Sequence, residues 1–172
     1  MTPLHTLLGL IVVQRLAELW LARRNARRLL ARGGHEVGAG HYPLLVLLHA
    51  GWLMALTLTV PAGAKPHVGL LAAFAVLMVL RAWVIWSLGP YWTTRIITVP
   101  TAPLVRCGPY CYLRHPNYLV VAGEIAVLPL AFGAWRIALV FSILNGALLV
   151  YRIGVENAAL AQRTAIGPSC RR

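Results

Sequence analysis

Apolar runs of membrane-spanning length alternate with short polar breaks along this chain. The first, Leu4 to about Ala22, has the roughly 20 residues that cross a bilayer, and a second and third run from about Tyr42 to Val60 and from about His67 to Leu88. Gly33-Gly34, Gly38-Ala39-Gly40 and Pro61-Ala62-Gly63-Ala64-Lys65-Pro66 mark the turns between them. After Gly89-Pro90 the pattern changes. Tyr91 to Pro103 mixes polar with β-branched residues, too short and too polar to span, which predicts an extended or interfacial piece. Leu119 to Phe132 is a short apolar run containing Glu124 and Pro129, and a turn over Gly133-Ala134-Trp135-Arg136 leads into Ile137 to about Ile153. Two such helices in close sequence pack as an antiparallel hairpin. The length of the first suits either a tilted crossing or a re-entrant segment. Counting it as a crossing, the pattern predicts an all-α integral membrane bundle of about five transmembrane helices. It forms a single domain over 1–172, with three spans in 1–88 and a second part, 89–163, carrying a polar loop and the hairpin.

Composition agrees with this pattern. Of 172 residues, 59% are hydrophobic and 12% charged, and the mean hydropathy is +0.72, which excludes an ordinary soluble domain. Sixteen Lys and Arg face four acidic residues. The basic residues cluster beside apolar runs, as in Arg23-Arg24-Asn25-Ala26-Arg27-Arg28, where they meet headgroups and orient the chain rather than bind nucleic acid. By the positive-inside rule the N-terminus is expected outside, and the C-terminus and polar loop in the cytoplasm of a bacterial inner membrane. Only Lys65 and Arg136 then fall outside. The arginines follow the first apolar run, so it is expected to be a retained span, not a signal peptide. Arg15, Arg81, Trp83 and Trp86 are expected at the interface as snorkelling cations and anchoring aromatics. Glu18 is either a local partner of Arg15 or part of a polar patch inside the bundle. Cys107, Cys111 and Cys170 show no metal-ligand spacing and are expected as ordinary thiols, and the tail from Gly167 is expected to fray.

Chemistry concentrates in two places. Arg106 to Tyr118 packs two prolines, a glycine, three tyrosines and a histidine between apolar segments, a density that breaks regular structure. On the last helix Asn145, Arg152 and Glu156 are separated by seven and four residues and share one face. The Arg-Glu pair has the spacing of an ion pair, which by itself is as consistent with a surface salt bridge as with a site. The loop and this face both lie at the cytoplasmic ends of adjacent helices, where they line one cavity. It offers aromatic faces, an imidazole and a carboxylate, an inventory suited to a zwitterionic nucleoside. His115 has no partner at metal-ligand spacing, so no metal is expected.

Gly108-Pro109-Tyr110, Arg114-His115-Pro116-Asn117-Tyr118, Leu128-Pro129-Leu130, and Arg152 with Glu156-Asn157 together resemble the C-terminal core of the isoprenylcysteine carboxyl methyltransferase family. The resemblance covers roughly Gly89 to Ala161. It implies a membrane enzyme that uses S-adenosylmethionine at the cytoplasmic face. Cofactor contacts are implied for Tyr110, Arg114, His115, Pro116, Asn117, Tyr118 and Leu119, with Pro129, Leu130 and Asn145 completing the pocket. Arg152 and Glu156 are implied at the reacting end. Many members have two consecutive glutamates where this chain has Glu156-Asn157, and Asn157 carries no charge. His41-Tyr42-Pro43 and Trp92-Thr93-Thr94-Arg95 are similar to members that methylate hydroxyls of alkylpyrones or phenolic lipids, which ranks that acceptor above an isoprenylcysteine-like carboxylate.

The expected reaction is an in-line displacement that mainly needs orientation and exclusion of water. Glu156 or His115 is the candidate base, and Arg152 the candidate oxyanion partner. The acceptor, a lipophilic small molecule, is expected to enter from the lipid, with His49 and Glu124 as candidates for its channel; His49 is equally consistent with a histidine hydrogen-bonded between helices. Two other classes stay open: a non-enzymatic transporter or scaffold, and an oxidoreductase of the sterol-reductase type.

Overall fold

The computed structural model describes residues 3–100, 102 and 105–161, so the tail, Cys170 and the last residues of the 89–163 part lie outside the described residues. It contains five helices: α1 (Pro3–Ala31), α2 (Tyr42–Thr59), α3 (Val68–Leu88), α4 (Pro116–Ala131) and α5 (Trp135–Ala161). Two-residue strands β1 (His35–Glu36) and β2 (Ile97–Thr98) pair antiparallel. Four stretches, Leu4–Ala31, Ala39–Thr59, Val68–Tyr91 and Trp135–Ala161, are long and apolar enough to cross a membrane. At 16 residues α4 is shorter, about 24 Å at 1.5 Å per residue against a hydrocarbon core of about 30 Å. It packs between α3 and α5 and buries Val120, Val121, Glu124, Ile125, Leu128 and Pro129.

Two stretches differ from expectation. The first helix does not end near Ala22: α1 continues through the basic block, Arg23 to Arg28, as far as Ala31, because arginine is a good helix former and no glycine interrupts the run before Gly33. Asn25, within that block, is buried and reaches out with its Nδ2, donating to the carbonyls of Gly89 (3.1 Å) and Trp92 (2.9 Å). It thereby ties the end of α1 to the turn after α3. The glycine-rich segment after α1 is also ordered, since β1 pairs with β2 and Val37 N–H donates to the Ile96 carbonyl at 2.9 Å. Of the expected thiols, Cys107 is free and exposed, whereas Cys111 is disulfide-bonded; cysteine pairing cannot be read from spacing alone.

The bundle is layered along its axis. At one end Leu4, Leu8, Trp52, Leu56, Phe74, Ile125 and Leu128 form the apolar core. Above it four charged side chains from three helices meet. Arg81 of α3 donates to Glu18 of α1 through Nε and Nη2, both at 2.6 Å, and to Glu124 of α4 at 3.2 Å. Arg15 of α1 donates to Glu18 at 2.9 Å and also to Glu124. Arg15 and Arg81 are therefore not interfacial anchors. A charge inside lipid is held by an opposite charge, and the partners here stand 63 and 109 residues away in sequence. Trp83 and Trp86 are exposed, consistent with surface anchors.

The loop after β2 docks on α3. Gly108 sits at φ 56°, and a Cβ there would approach Ser87 Oγ to 2.2 Å and Trp83 Nε1 to 3.1 Å. Pro109 follows in a 3-10 turn over Gly108–Cys111, and Pro116 takes the first position of α4, where its missing N–H costs nothing.

Two outcomes follow for stability. Arg81→Met leaves two buried carboxylates to a single guanidinium and should cost about 3–5 kcal/mol, read as a large fall in the unfolding midpoint in detergent. The double variant Arg81→Met/Glu18→Met restores charge balance and should recover part of the loss; an unchanged midpoint for Arg81→Met alone contradicts the quartet's role. Gly108→Ala should detach the loop from α3, measurable as faster hydrogen exchange over 105–115 while the exchange of α2 is unaffected. Unaltered loop exchange counts against the docking described here.

Candidate active site

The site is assembled at the end of the bundle where α1 and α3 finish and α4 begins. A cavity of ≈ 190 Å³, partly open to solvent, is lined there by Tyr110, Arg114, His115, Asn117, Tyr118, Arg152 and Glu156 among others. Seven of the residues expected at the site are thus brought together. The hairpin does this: α4 starts at the loop, and α5 runs back antiparallel so that its C-terminal turns reach the same level.

Tyr118 is the junction. Its hydroxyl donates to Glu156 Oε2 and accepts from Arg152 Nε at 2.8 Å. The expected Arg152–Glu156 ion pair is replaced by this bridge, because the phenol of α4 enters between them. Arg152 Nη2 donates to the Thr94 carbonyl at 2.7 Å, and the guanidinium lies over the Tyr118 ring, 5.6 Å from its centroid. His115 stacks on the same ring at 5.4 Å. Its Nδ1 stands 3.7 Å from Glu156 Oε2, a contact that becomes an ion pair when the imidazole is protonated. Its Nε2 lies 3.1 Å from Asn157 Oδ1. The residue that replaces the second glutamate therefore orients the imidazole, a task that needs a hydrogen bond and no charge. Burial, and then the Glu156 carboxylate nearby, push the Tyr110 phenol above its ordinary pKa, which keeps it a donor.

A second cavity, ≈ 440 Å³, lies on the other side of this cluster. Apolar residues of α1, α2 and α5 line it, including Leu16, Leu45, Leu53 and Leu149, together with His49, Asn145, Arg15, Glu18 and Arg81. Val12, Leu16 and Val46 on its outer lip are 40%, 60% and 42% exposed. Trp92, Thr93, Asn117, Tyr118 and Arg152 line both cavities and form the wall between them. The volumes differ in kind as well, since the larger lies within the range of small-molecule sites and the smaller encloses only part of one.

Several expected site residues stand elsewhere. Pro129 and Leu130 are eleven or more residues beyond Tyr118 on a continuous helix, about 16 Å away along its axis. They do not reach either cavity; Pro129 is buried, and its carbonyl accepts from Phe132 and Ala134 to end α4. Leu119 is exposed on the outer face of α4. Pro116 is buried and shapes the start of the helix without lining the cavity. Asn145 lines the second cavity, not the first, because its seven-residue offset sets it about 10 Å deeper than Arg152. His49 does line the second cavity, with Nδ1 2.8 Å from the Leu45 carbonyl. Glu124 is 1% exposed and stands behind Arg15 and Arg81, which present the quartet to the cavity in its place. Trp92, Thr93 and Thr94, which the sequence marks only through their similarity to lipid-hydroxyl methylating members, line the cavities or hold Arg152. The mixed polar pattern of that segment, read as an extended piece, leaves its backbone free to offer carbonyls such as that of Thr94.

Known proteins resemble this chain along most of its length. An uncharacterized protein of Bacillus subtilis (strain 168), YpbQ, is 37% identical over 160 residues, covering 91% of this chain and 95% of its own. An uncharacterized protein of Haemophilus influenzae is 27% identical over 158 residues, covering 88% and 91% respectively. No solved structure matches. The profile of the isoprenylcysteine carboxyl methyltransferase (ICMT) family matches residues 70–162, a segment that contains α4, α5, the docked loop and both Arg152 and Glu156. The matched segment exceeds half of the chain, and the protein belongs to the isoprenylcysteine carboxyl methyltransferase family of membrane methyltransferases.

Proposed function

We propose that this protein is an S-adenosylmethionine-dependent O-methyltransferase acting on a hydroxyl of a lipophilic acceptor, an alkylpyrone or phenolic lipid. The observation that carries the reading is the shared wall: a polar cavity at the loop and an apolar cavity among the spans meet at Asn117, Tyr118 and Arg152. A charged nucleoside suits the first and a lipid tail the second. With the N-terminus outside, the polar cavity faces the cytoplasm, where the cofactor is available, and the acceptor enters laterally past Val12, Leu16 and Val46.

The polar residues fit such a cofactor. Asn117 Oδ1 is buried with no hydrogen-bond partner among the described residues and lines the cavity, so it calls for a donor such as a ribose hydroxyl, an ammonium or an adenine amino group. Arg114 suits a carboxylate. The stacked His115 and Tyr118 rings offer an aromatic face. When bound, S-adenosylmethionine supplies an electrophilic methyl on a sulfonium, whose S–CH₃ bond breaks as the O–CH₃ bond forms and a neutral thioether leaves.

The chain's own residues manage the proton and the charge. Tyr118 takes the proton released by the acceptor hydroxyl and hands its own to Glu156, to which it already donates. Arg152 Nε holds the Tyr118 oxygen and stabilises negative charge passing through it. Asn157 keeps His115 turned toward Glu156. Trp92 and the apolar lining exclude water from the wall. An isoprenylcysteine-like carboxylate is the second reading, favoured by Arg152, whose guanidinium lines the apolar cavity and suits a carboxylate.

Membranes containing the protein, supplied with isotopically labelled S-adenosylmethionine, should yield one heavier lipid by mass spectrometry. A methyl ether survives alkali and a methyl ester does not, so base treatment separates the two readings. Glu156→Gln and Tyr118→Phe should each lower transfer by at least about 100-fold. Near-normal turnover in both variants removes the proposed relay, and the absence of any labelled lipid favours a non-enzymatic role.

A further inference from the structure

Asn145 has no part in the relay, yet it is a costly residue where it stands. It is 1% exposed, lines the apolar cavity, and its Oδ1 is buried without a hydrogen-bond partner among the described residues. An unmet acceptor in apolar surroundings is a demand for a donor. Asn145 lies seven residues before Arg152 on α5, about 10 Å deeper at 1.5 Å per residue, so it cannot serve the oxygen that meets the methyl group at the wall.

The other polar residues in the cavity narrow what the donor is. Arg15, Glu18 and Arg81 are already joined with Glu124 into a set of two cations and two anions, so they call for no charged ligand. His49 faces the same cavity from α2. Its Nδ1 meets the Leu45 carbonyl, which can only accept, so Nδ1 carries the hydrogen and a neutral ring leaves Nε2 as a second acceptor. The unmet groups in this cavity are then acceptors, Asn145 Oδ1 and His49 Nε2, and one buried donor, Arg15 Nε, a set that a neutral hydroxyl, which both donates and accepts, can meet.

We infer that Asn145, together with His49, forms a second recognition point in the acceptor cavity, one that takes a hydroxyl of the acceptor other than the oxygen being methylated. The inference rests on the methyltransferase reading for which oxygen is the methylated one; the recognition point itself rests on the orphaned amide. It makes Asn145 a specificity-determining residue. Acceptors with two hydroxyls are favoured over those with one, at equal tail length.

The test titrates the full-length protein in detergent, by tryptophan fluorescence, with 5-pentadecylresorcinol and with 3-pentadecylphenol, which differ by one hydroxyl. Wild-type protein should bind the diol at least about tenfold more tightly. In Asn145→Leu the ratio should fall below about threefold with the affinity for the phenol retained. Should Asn145→Leu fail to fold, His49→Phe carries the same comparison. Equal binding of the two lipids by the wild type, or a preference kept in the variants, overturns the inference. Methyl transfer measured in parallel separates the two claims. A preference lost in the variant without transfer to either lipid upholds the recognition point and removes phenolic lipids of this kind as methyl acceptors, whereas transfer to both lipids without preference does the reverse.

Discussion

A buried set of four charges holds this molecule together. Inside lipid the usual driving force for helix association is missing, since hydrocarbon solvates an apolar helix face as well as another helix does. Arg15, Glu18, Arg81 and Glu124 have no such indifference. Each is tolerable at that depth only beside the others, and together they fix α1, α3 and α4 in register. The short α4 gains most. Its 16 residues are too few for a comfortable independent crossing, but Glu124 at its middle is held from two sides.

The candidate site is built on α4 placed in this way. Its N-terminus presents His115, Pro116, Asn117 and Tyr118 to one face of the bundle, while α5 brings Arg152, Glu156 and Asn157 to the same level. The Tyr118 hydroxyl then ties Arg152 to Glu156. The same quartet also forms part of the apolar cavity's lining. One interaction thus sets the helix positions, closes the inner end of the apolar cavity and fixes the distance from there to the wall. Asn25 adds a second brace, pinning the Trp92 turn that completes the wall.

Much of this was legible along the chain. The spans are visible because apolar runs of the right length have few other meanings, and the loop is visible because proline and glycine gather there. Arg152 and Glu156 could be placed on one face by counting along a helix. The quartet could not. Its members look like terminal arginines and stray glutamates until partners as far apart as Arg15 and Glu124 are brought together. For the same reason the cavity that Asn145 lines could not be read from the chain: a shared helix face does not specify depth. Pro129 and Leu130 enter only through the family resemblance, and a residue-by-residue match does not say that a continuous helix carries them away from the loop. The role of Asn157 needed the structure too, since nothing in a glutamate-to-asparagine difference says that the amide will meet His115.

The proposed reaction holds two reactants on opposite sides of the Tyr118–Arg152 wall. A structure of the protein with S-adenosylhomocysteine and a lipid hydroxyl acceptor bound together tests it most directly. The sulfur should lie in the cavity bearing His115 and Glu156, the acceptor tail in the cavity bearing His49 and Asn145, and the acceptor oxygen should meet the site of the departing methyl at the wall, at a contact of about 3–3.5 Å. Both ligands in a single cavity, or an acceptor bound outside the bundle, contradicts it.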